Sequence, residues 1–201
     1  MSRPQQYDRA IALDAAIQVF WAKGFHATSV KDLEVALSMK SGSIYCAFTS
    51  KEALYLLALE RYFDAALQRF WAQIDRHASP LDGLAEHLRS MARPLLNDSA
   101  RQTCMLTRTL AETSVTHPEI AAQTKTYLTT MRAAFAAAFG RAQILGELPA
   151  EADCAALARR FQAAITALRF ELQLGTEPSE ITSMAQDFAK DIESLRLGRP
   201  H

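Results

Sequence analysis

Residues 28–54 read TSVKDLEVALSMKSGSIYCAFTSKEAL, and this stretch determines the fold of the N-terminal part of the chain. It predicts two short amphipathic helices, the first capped by Thr28 or Ser29, separated by a turn at Ser38 and Met39. The inward-facing apolar residues of the two helices are Val30, Leu33, Leu37, Ile44 and Phe48. Two short helices joined by a turn of three or four residues are typical of a helix-turn-helix.

A longer helix precedes this pair, and another follows it. Residues 7–23 carry an apolar stripe at helical spacing, and Gly24 then marks a natural helix end. Ser50 can cap a fourth, long helix that runs from Lys51 to about Arg76. We therefore expect a three-helix domain containing the helix-turn-helix over residues 1–49. The fourth helix is the strut that leads into a second domain over residues 50–201.

The composition favours helices throughout. Alanine occupies 36 positions and valine only four, while glycine and proline occupy seven each. Alanine loses no side-chain entropy in a helix, and few residues here interrupt one. Turn signals divide the C-terminal part into five further helices, at about 81–96, 100–115, 118–145, 150–174 and 179–197. The predicted fold is all-α, with about nine helices.

The charge balance limits the kind of nucleic-acid binding that is possible. The chain has 22 basic and 22 acidic residues, and residues 1–61 contain seven Lys/Arg against six Asp/Glu. A protein that coats nucleic acid without selectivity is strongly basic, so this balance argues against that class. Any DNA affinity has to come from the local placement of charges and helix dipoles.

Signals for metal sites, catalysis and membranes are missing from the sequence. Cys46, Cys104 and Cys154 lie 58 and 50 residues apart, and the five histidines are scattered without metal-ligand spacing. No glycine-rich phosphate loop or GxSxG elbow occurs, so we expect no cofactor and no enzymatic activity. The start lacks the apolar stretch of a signal peptide, and no apolar run reaches 18 residues. These features predict a cytoplasmic protein that does not enter a membrane.

The second short helix has the surface of a DNA-reading helix. Its outward side carries the small residues Ser41, Gly42 and Ser43. Such a surface lets a helix enter the major groove, where its N-terminal N–H groups can meet phosphates. Lys40 lies where its side chain could donate to guanine or to a phosphate. The alternative is that both short helices are ordinary members of a helical bundle.

The pattern FWAKGFHATSVKDLEVAL…SGSIYCAF…SKEALY resembles the N-terminal domain of the TetR family of transcription repressors, over about 50 residues. The residues that fall on family positions are Phe20, Gly24, Phe25, Thr28, Leu33, Ala36, Ser43, Tyr45, Phe48, Lys51 and Leu54. The resemblance implies that Ser29, Tyr45 and Lys51 contact phosphates and that Lys40, Ser41 and Ser43 lie nearest the bases. The predicted DNA-binding residues are these six and Gly42.

Three positions depart from the family pattern. Ser38 replaces the turn glycine that often supplies a left-handed conformation, so the turn is expected to be strained or differently shaped. Lys40 occupies the position of the usual Ser or Thr cap of the recognition helix, and Cys46-Ala47 stands where histidines are common. These departures bear on the detailed DNA contacts more than on the fold.

The last two predicted helices carry apolar stripes at steps of three and four residues. Either both stripes are buried inside one chain, or they pack against a twofold mate as a four-helix bundle. The resemblance favours the second arrangement and implies a homodimer. The predicted interface residues are Phe161, Ile165, Leu168, Leu172, Met184, Phe188 and Ile192.

A pocket for a small-molecule effector is expected among the fourth to eighth helices. Its candidate residues are Trp71, Met105, Tyr127, Phe135 and Phe161, with Arg108 as a polar anchor and Cys104 as a reactive group. For each single aromatic residue, the alternative role is packing in the core.

Cys104 is a candidate sensor thiol. Arg101, Cys104 and Arg108 are spaced so that they share one face if they lie on one helix. Two guanidinium groups and a helix N-terminus capped within residues 97–99 would favour the reactive thiolate. The position resembles that of the cysteine in TetR-type repressors that sense electrophiles or oxidants, such as the N-ethylmaleimide-responsive group. Here Thr103-Cys104-Met105 replaces the Gly-Cys-Leu run common in that group. The alternative is that Cys104 is a small buried hydrophobe.

These observations predict a homodimeric TetR-type repressor that binds palindromic, double-stranded operator DNA. A small molecule, an electrophile or an oxidant is expected to release it. The other class considered is a helical dimeric adaptor or ligand-binding protein without DNA binding, which the near-neutral N-terminal region supports.

Overall fold

The structure is a computed structural model of the 201-residue chain, and it describes residues 9–92 and 104–197. Within these ranges every regular element is helical, which confirms the predicted all-α fold. The helices are α1 (Arg9–Lys23), α2 (Val30–Leu37), α3 (Ser41–Phe48), α4 (Lys51–Ile74), α5 (Pro80–Ala92), α6 (Met105–Thr113), α7 (Pro118–Ile144), α8 (Cys154–Leu174) and α9 (Pro178–Ser194). Across the described ranges, none of them combines the length and the apolar character that a membrane crossing requires.

The described helix ends lie within a few residues of the predicted ones, with one exception. The helix predicted over about 100–115 begins at Met105, so Cys104 precedes its first turn. Arg101 and the predicted cap within 97–99 lie outside the described residues. Because Cys104 is not part of α6, the prediction that Cys104 and Arg108 share a helix face is wrong.

Capping and backbone geometry explain the ends of α8. Asp153 accepts a hydrogen bond from the Ala156 N–H at 2.9 Å, which satisfies one of the free donors of the first turn. At the other end, Gly175 has φ 78° and closes the helix in the left-handed conformation that glycine adopts without strain. Gly175 thus ends the helix where the sequence predicted its end, whereas the Asp153 cap starts it four residues later than predicted.

The described residues form two compact units. Unit 1 contains α1 to α3, α4 up to Ala65, and Met105–Thr126. Unit 2 contains the described parts of Ala66–Cys104 and Tyr127–His201. Helices α4 and α7 therefore contribute to both units. This division differs from the predicted boundary between residues 49 and 50, because α6 groups with the first helices; a functional boundary at that position stays a prediction.

The core of unit 1 is aromatic. Tyr55 on α4 packs against Phe20, with 4.7 Å between ring centroids, and against Phe25, with 4.9 Å. Its hydroxyl shares a 2.6 Å hydrogen bond with the Thr109 hydroxyl on α6. Burial raises the pKa of Tyr55 to about 12, so the phenol stays protonated. These contacts pack α6 against the helices that carry the helix-turn-helix.

The core of unit 2 contains four of the seven predicted dimer-interface residues. The exposed fraction of the side chain is 1% for Phe161, 0% for Leu168, 3% for Leu172 and 9% for Ile192. A side chain with so little free area has almost nothing left to bury against a second subunit. The prediction that these four residues form the subunit interface is therefore wrong. For them the alternative is correct, because they are buried inside their own chain.

The other three predicted interface residues, Ile165, Met184 and Phe188, pack against the same core but keep part of their surface exposed. A role in a subunit interface therefore remains a prediction for these three.

Candidate DNA-binding and effector sites

Helix α2 begins with a capping box formed by Ser29 and Asp32. The Asp32 N–H donates to Ser29 Oγ at 3.2 Å, and Asp32 Oδ2 accepts from both the N–H and the hydroxyl of Ser29 at 2.8 Å. Lys23 binds the same carboxylate at 2.5 Å. The hydrogen bonds from Lys23 and Ser29 lower the pKa of Asp32. Because the Ser29 hydroxyl already donates to Asp32, the predicted phosphate contact of Ser29 requires this bond to be exchanged.

The turn between α2 and α3 keeps the geometry that a glycine would have. Ser38 has φ 52° and ψ 38°, which lie in the left-handed region. A residue with a Cβ pays roughly 1–2 kcal/mol to adopt this conformation. The expectation of a strained turn at Ser38 is therefore confirmed, and the shape of the turn is retained.

Glu34 supplies the N-terminal cap that Lys40 cannot give to α3. Lys40 makes no side-chain capping hydrogen bond, and the Ser41 N–H donates instead to Glu34 Oε1 at 2.6 Å. The Ser43 N–H donates to the Lys40 carbonyl at 2.9 Å. These two N–H groups are already paired within the chain, so the expectation that they meet a phosphate is wrong for them. The sequence analysis did not identify Glu34, which lies seven residues before the group it caps.

The outward face of α3 is open, as the sequence predicted. Ile44 and Phe48 are each only 2% exposed and hold the helix against unit 1. A Cβ atom added at Gly42 would meet nothing within 4 Å. The exposed residues on and next to this face are Lys40, Gly42, Ser43, Tyr45 and Cys46. This face is the part of the helix-turn-helix that is accessible to DNA.

Two residues join α3 to α4, and the first of them is strained. Thr49 has φ 69° and ψ −52°, and the Ser50 N–H donates to the Phe48 carbonyl at 2.7 Å, which makes a γ-turn. This turn type is rare, above all for a β-branched residue. The Ser50 hydroxyl then accepts from the Ala53 N–H at 3.0 Å and caps α4, as predicted.

The lysines of this region are in three different states. Lys51, predicted to touch a phosphate, has its ammonium 4.5 Å from the centre of the Phe25 ring, and burial lowers its pKa. Lys23 is paired with Asp32. Lys31 and Lys40 are exposed, and neither has an ion-pair or hydrogen-bond partner within residues 9–92 and 104–197. The sequence analysis missed Lys31, although its place in the first turn of α2 could have suggested it.

Arg108 closes the C-terminal end of α1. Its Nη1 donates to the carbonyls of Trp21 and Ala22 at 3.2 Å each, and its Nη2 donates to the Lys23 carbonyl at 2.7 Å. Its Nε donates to Glu112 Oε1 at 2.6 Å. The last carbonyls of a helix have no partner within the helix, and here the guanidinium supplies one. Four of the five N–H donors of Arg108 are thus used within unit 1, which argues against the prediction that Arg108 anchors an effector.

Glu112 holds the turn that follows α1. Its Oε2 accepts from the Phe25 N–H at 2.9 Å. Gly24 has φ 82°, and a Cβ atom there would lie 2.3 Å from Glu112 Oε1. Arg108 and Glu112 thus act together on the Gly24-Phe25 turn. This role could not be read from the sequence, because the partners are more than 80 residues apart.

Three predicted effector residues come together in unit 2. Phe70 packs against Trp71, with 5.2 Å between ring centroids, and against Phe135, with 5.0 Å; Phe135 packs against Phe161, also at 5.0 Å. Tyr127 is also in unit 2 and is 9% exposed.

The two remaining effector candidates have other surroundings. Met105 is 1% exposed and belongs to unit 1. Cys104 is a half-buried free thiol, whereas Cys46 on α3 is the exposed thiol of the described cysteines. The predicted aromatic effector residues Trp71, Phe135 and Phe161 thus lie together in unit 2. An effector role for the Cys104 thiol stays a prediction.

Comparison with known proteins agrees with this architecture. Residues 12–58 match the family described as "Bacterial regulatory proteins, tetR family", and residues 80–188 match "Tetracyclin repressor-like, C-terminal domain". The HTH-type transcriptional repressor ComR of Escherichia coli (strain K12) is 26% identical over 184 residues. These residues are 91% of this chain and 88% of ComR.

Two solved structures share the fold. A cysteine mutant of the TetR family regulator CifR, complexed with 26-bp operator DNA, has a TM-score of 0.81 at 23% identity, covering 94% of this chain and 98% of that one. FadR from Bacillus subtilis, in complex with stearoyl-CoA, has a TM-score of 0.76 at 15% identity, covering 93% and 98%. The proteins of this family are transcriptional regulators and not enzymes. From the two family matches and the helix-turn-helix formed by α2 and α3, we conclude that the chain belongs to the TetR family of HTH-type transcriptional regulators.

Proposed function

We propose that this protein is a homodimeric repressor that binds a palindromic operator through α3 and leaves it when a small molecule binds unit 2. The observation that carries the proposal is the open face of α3 around Gly42 and Ser43, with the unpaired Lys40 beside it. The repressor name of ComR and the operator-bound structure of CifR support it. A regulator of this kind acts where the chromosome is, in the cytoplasm.

DNA binding is proposed to use few charges, each in a defined place. Lys31 and Lys40 are free to reach phosphates or bases without giving up an existing ion pair. Lys51 has to exchange its position over the Phe25 ring for a phosphate, and an exposed cation–π contact is worth about 0.5–1 kcal/mol. A phosphate contact can repay this cost. The near-zero net charge then favours selective over general binding.

The experiment is a fluorescence-anisotropy titration with the DNA that flanks the protein's own gene, at several salt concentrations. Lys51→Ala should weaken binding to all sequences and reduce the salt dependence by about one phosphate contact. Lys40→Ala should change the preference among operator variants, because Lys40 is proposed to reach the bases. Lys125→Ala, an exposed lysine on α7, is the matched control and should bind like the wild type. A Lys51→Ala protein with unchanged affinity and salt slope would contradict the proposed placement.

Two recognition helices on one palindrome require a dimer, and α8 and α9 are proposed to form it. Phe170 and Leu174 on α8 are 58% and 63% exposed, and at a spacing of four residues they share one face of the helix. Phe170→Arg should give a folded monomer in sedimentation, because the exposed ring is not needed for the fold of one chain. Ile144→Arg changes an apolar residue on α7 that is 85% exposed, and it should remain dimeric. A dimeric Phe170→Arg protein would place the interface elsewhere.

The effector is proposed to bind reversibly rather than to react with Cys104. The sensor hypothesis needed Arg108 beside the thiol, but that guanidinium is bound to the end of α1. The alternative can be tested with N-ethylmaleimide in a Cys46→Ser background, since Cys46 is exposed on α3 and its modification would block DNA by itself. Release of DNA that is abolished by adding Cys104→Ser would overturn the reversible mechanism.

A further inference from the structure

Arg169 on α8 has a guanidinium that is only partly satisfied. Its Nη2 lies 3.7 Å from the Met91 sulfur on α5, and a thioether is a weak acceptor. Its Nη1 is buried and has no hydrogen-bond partner in the described parts of the chain. No carboxylate of residues 9–92 and 104–197 forms an ion pair with Arg169. The guanidinium of this half-buried side chain thus has a buried nitrogen and no counter-ion among the described residues.

The neighbours of Arg169 are neutral and aromatic. Burial, together with the charge of Arg169, lowers the pKa of His87 to about 4, so His87 is uncharged at neutral pH. The His87 ring packs against Phe70 with 5.2 Å between centroids and against Phe161 with 5.9 Å. This is the same aromatic cluster that contains Trp71 and Phe135. The surroundings therefore supply apolar contact area and one neutral imidazole, but no negative charge.

Such an arrangement is unfavourable in the absence of a ligand. A buried donor that loses its hydrogen bond to water and gains none in the protein pays its full desolvation cost, and a charged donor pays more. Natural structures retain few such groups, and those that remain call for an explanation such as a bound ion or a functional role. Arg89 on α5 shows the usual solution, because Gln186 and Glu193 on α9 accept its hydrogen bonds at 2.8 and 2.6 Å.

We propose that Arg169 is the anion-recognising residue of the effector site in unit 2, and that the effector is a carboxylate with an apolar body. This inference rests on the proposed function, since it names the chemistry of the molecule that releases the DNA. A carboxylate matches the planar fork of a guanidinium and satisfies the free Nη1 donor. The rings of Phe70 and Phe161 are 1% exposed, so the apolar body has to open this aromatic cluster to contact them, and His87 offers one further hydrogen bond.

A single negative charge fits this site better than two. Arg169 is the only cation that the described residues bring to the His87 ring, and His87 itself stays neutral. Arg89 is neutralised by Glu193. A dianion such as a phosphate monoester would leave one charge uncompensated in apolar surroundings, which is costly. We therefore infer a monocarboxylate.

The test compares acids with matched neutral alcohols. Benzoate, 4-tert-butylbenzoate and decanoate are titrated into the full-length protein, each beside its alcohol, and the melting temperature and heat of binding are measured. At least one acid should give a saturable stabilisation that its alcohol lacks. Arg169→Met should weaken that binding by about 10- to 150-fold, the range expected for hydrogen bonds to a charged group. Arg160→Met, an exposed arginine on the same helix, should bind the acid like the wild type.

Operator binding separates this proposal from the proposed function. The acid should release DNA from the wild type and from Arg160→Met, but not from Arg169→Met, which should still bind DNA. If the acid binds through Arg169 but the wild type binds no DNA, the proposed function fails and the site stands. If none of the acids binds, or if Arg169→Met binds them as the wild type does, the site is wrong. If Arg169→Met becomes monomeric, a carboxylate of a second subunit is the counter-ion and the proposal is overturned.

Discussion

Two arginines, one in each unit, show how differently the same side chain can be placed. In unit 1, Arg108 donates to three backbone carbonyls and to Glu112, all within 3.2 Å. In unit 2, Arg169 has one weak contact, to Met91, and a buried nitrogen with no partner in the described residues. The first is paired within the fold, whereas we propose that the second is paired by a bound effector.

The comparison suggests how the two units divide their tasks. The contacts of Arg108 and Glu112 stabilise the turn at Gly24-Phe25, which leads into the helix-turn-helix. Because the charges of Arg108 and Glu112 are paired with each other, they favour one fixed geometry of this turn. On our proposal, the unpaired charge of Arg169 instead makes the stability of unit 2 sensitive to a ligand. The predictions below test each side of this contrast.

The largest expected effect is that of removing the paired arginine. Arg108→Met leaves the end of α1 and the Glu112 carboxylate without their donors, which should lower the free energy of unfolding by about 2–4 kcal/mol. Urea unfolding at neutral pH measures this change. Arg159→Met removes an arginine whose 4.0 Å pair with Asp153 is exposed, and it should cost less than about 1 kcal/mol. Equal losses in the two variants would show that Arg108 is not a structural cap.

A second variant tests the turn that this pair holds. Gly24→Ala places a Cβ 2.3 Å from Glu112 Oε1 and in a left-handed backbone, so it should cost about 2–3 kcal/mol. Gly146→Ala has a similar φ of 74° but open space around its Cβ, and it should cost only about 1 kcal/mol. When Glu112 is also replaced by alanine, Gly24→Ala should cost only about 1 kcal/mol, the value expected for Gly146→Ala. A double-mutant cycle measured by urea unfolding would show this. If Gly24→Ala costs the same unfolding free energy with and without Glu112, the close contact of its Cβ with Glu112 Oε1 is contradicted.

The third prediction concerns the neutral histidine beside Arg169. The pKa of His87 is about 4 in the folded protein and close to 6.5 in the unfolded chain. Between these values the unfolded chain binds more protons, so stability should fall as the pH decreases from 6.5 towards 4. The contribution of His87 to this loss should reach about 2 kcal/mol at pH 5.

The matched variant for this prediction is His87→Phe, which keeps a ring in the aromatic cluster but cannot be protonated. Its stability should vary less with pH over the same window, while the two proteins differ little in slope above pH 7. A His87→Phe protein with the pH dependence of the wild type would contradict the burial of His87 next to a positive charge.

The sequence predicted those features that depend on neighbours along the chain. Helical periodicity and the caps at Ser29, Ser50 and Gly175 set the helices, and the helix-turn-helix motif set the exposed face of α3. Contacts between distant residues were not predictable in the same way. Arg108 and Cys104 are four residues apart, so a shared helix face was a reasonable expectation, but the carbonyls that bind Arg108 come from α1.

The apolar stripe of α8 shows a second limit. A period of three and four residues indicates that one face is buried, but it does not say whether the chain itself or a second copy covers that face. Leu168 is covered within the chain, whereas Phe170 remains exposed two positions later. Thr49 shows a third limit, because a γ-turn at a β-branched residue has no sequence signal.

The measurement that tests the central claim most directly is operator binding by a protein with a negative charge on the open face of α3. Ser43→Glu adds a carboxylate to this exposed face without touching Ile44 or Phe48, so the fold should persist. Thr129→Glu makes the same change at an exposed position of α7, outside the proposed dimer interface. In fluorescence anisotropy, Ser43→Glu should lose more than about tenfold in affinity, since like charges across an interface cost several kcal/mol, while Thr129→Glu should bind as the wild type does. Equal operator affinity for the two variants would contradict the claim that α3 is the helix that meets DNA.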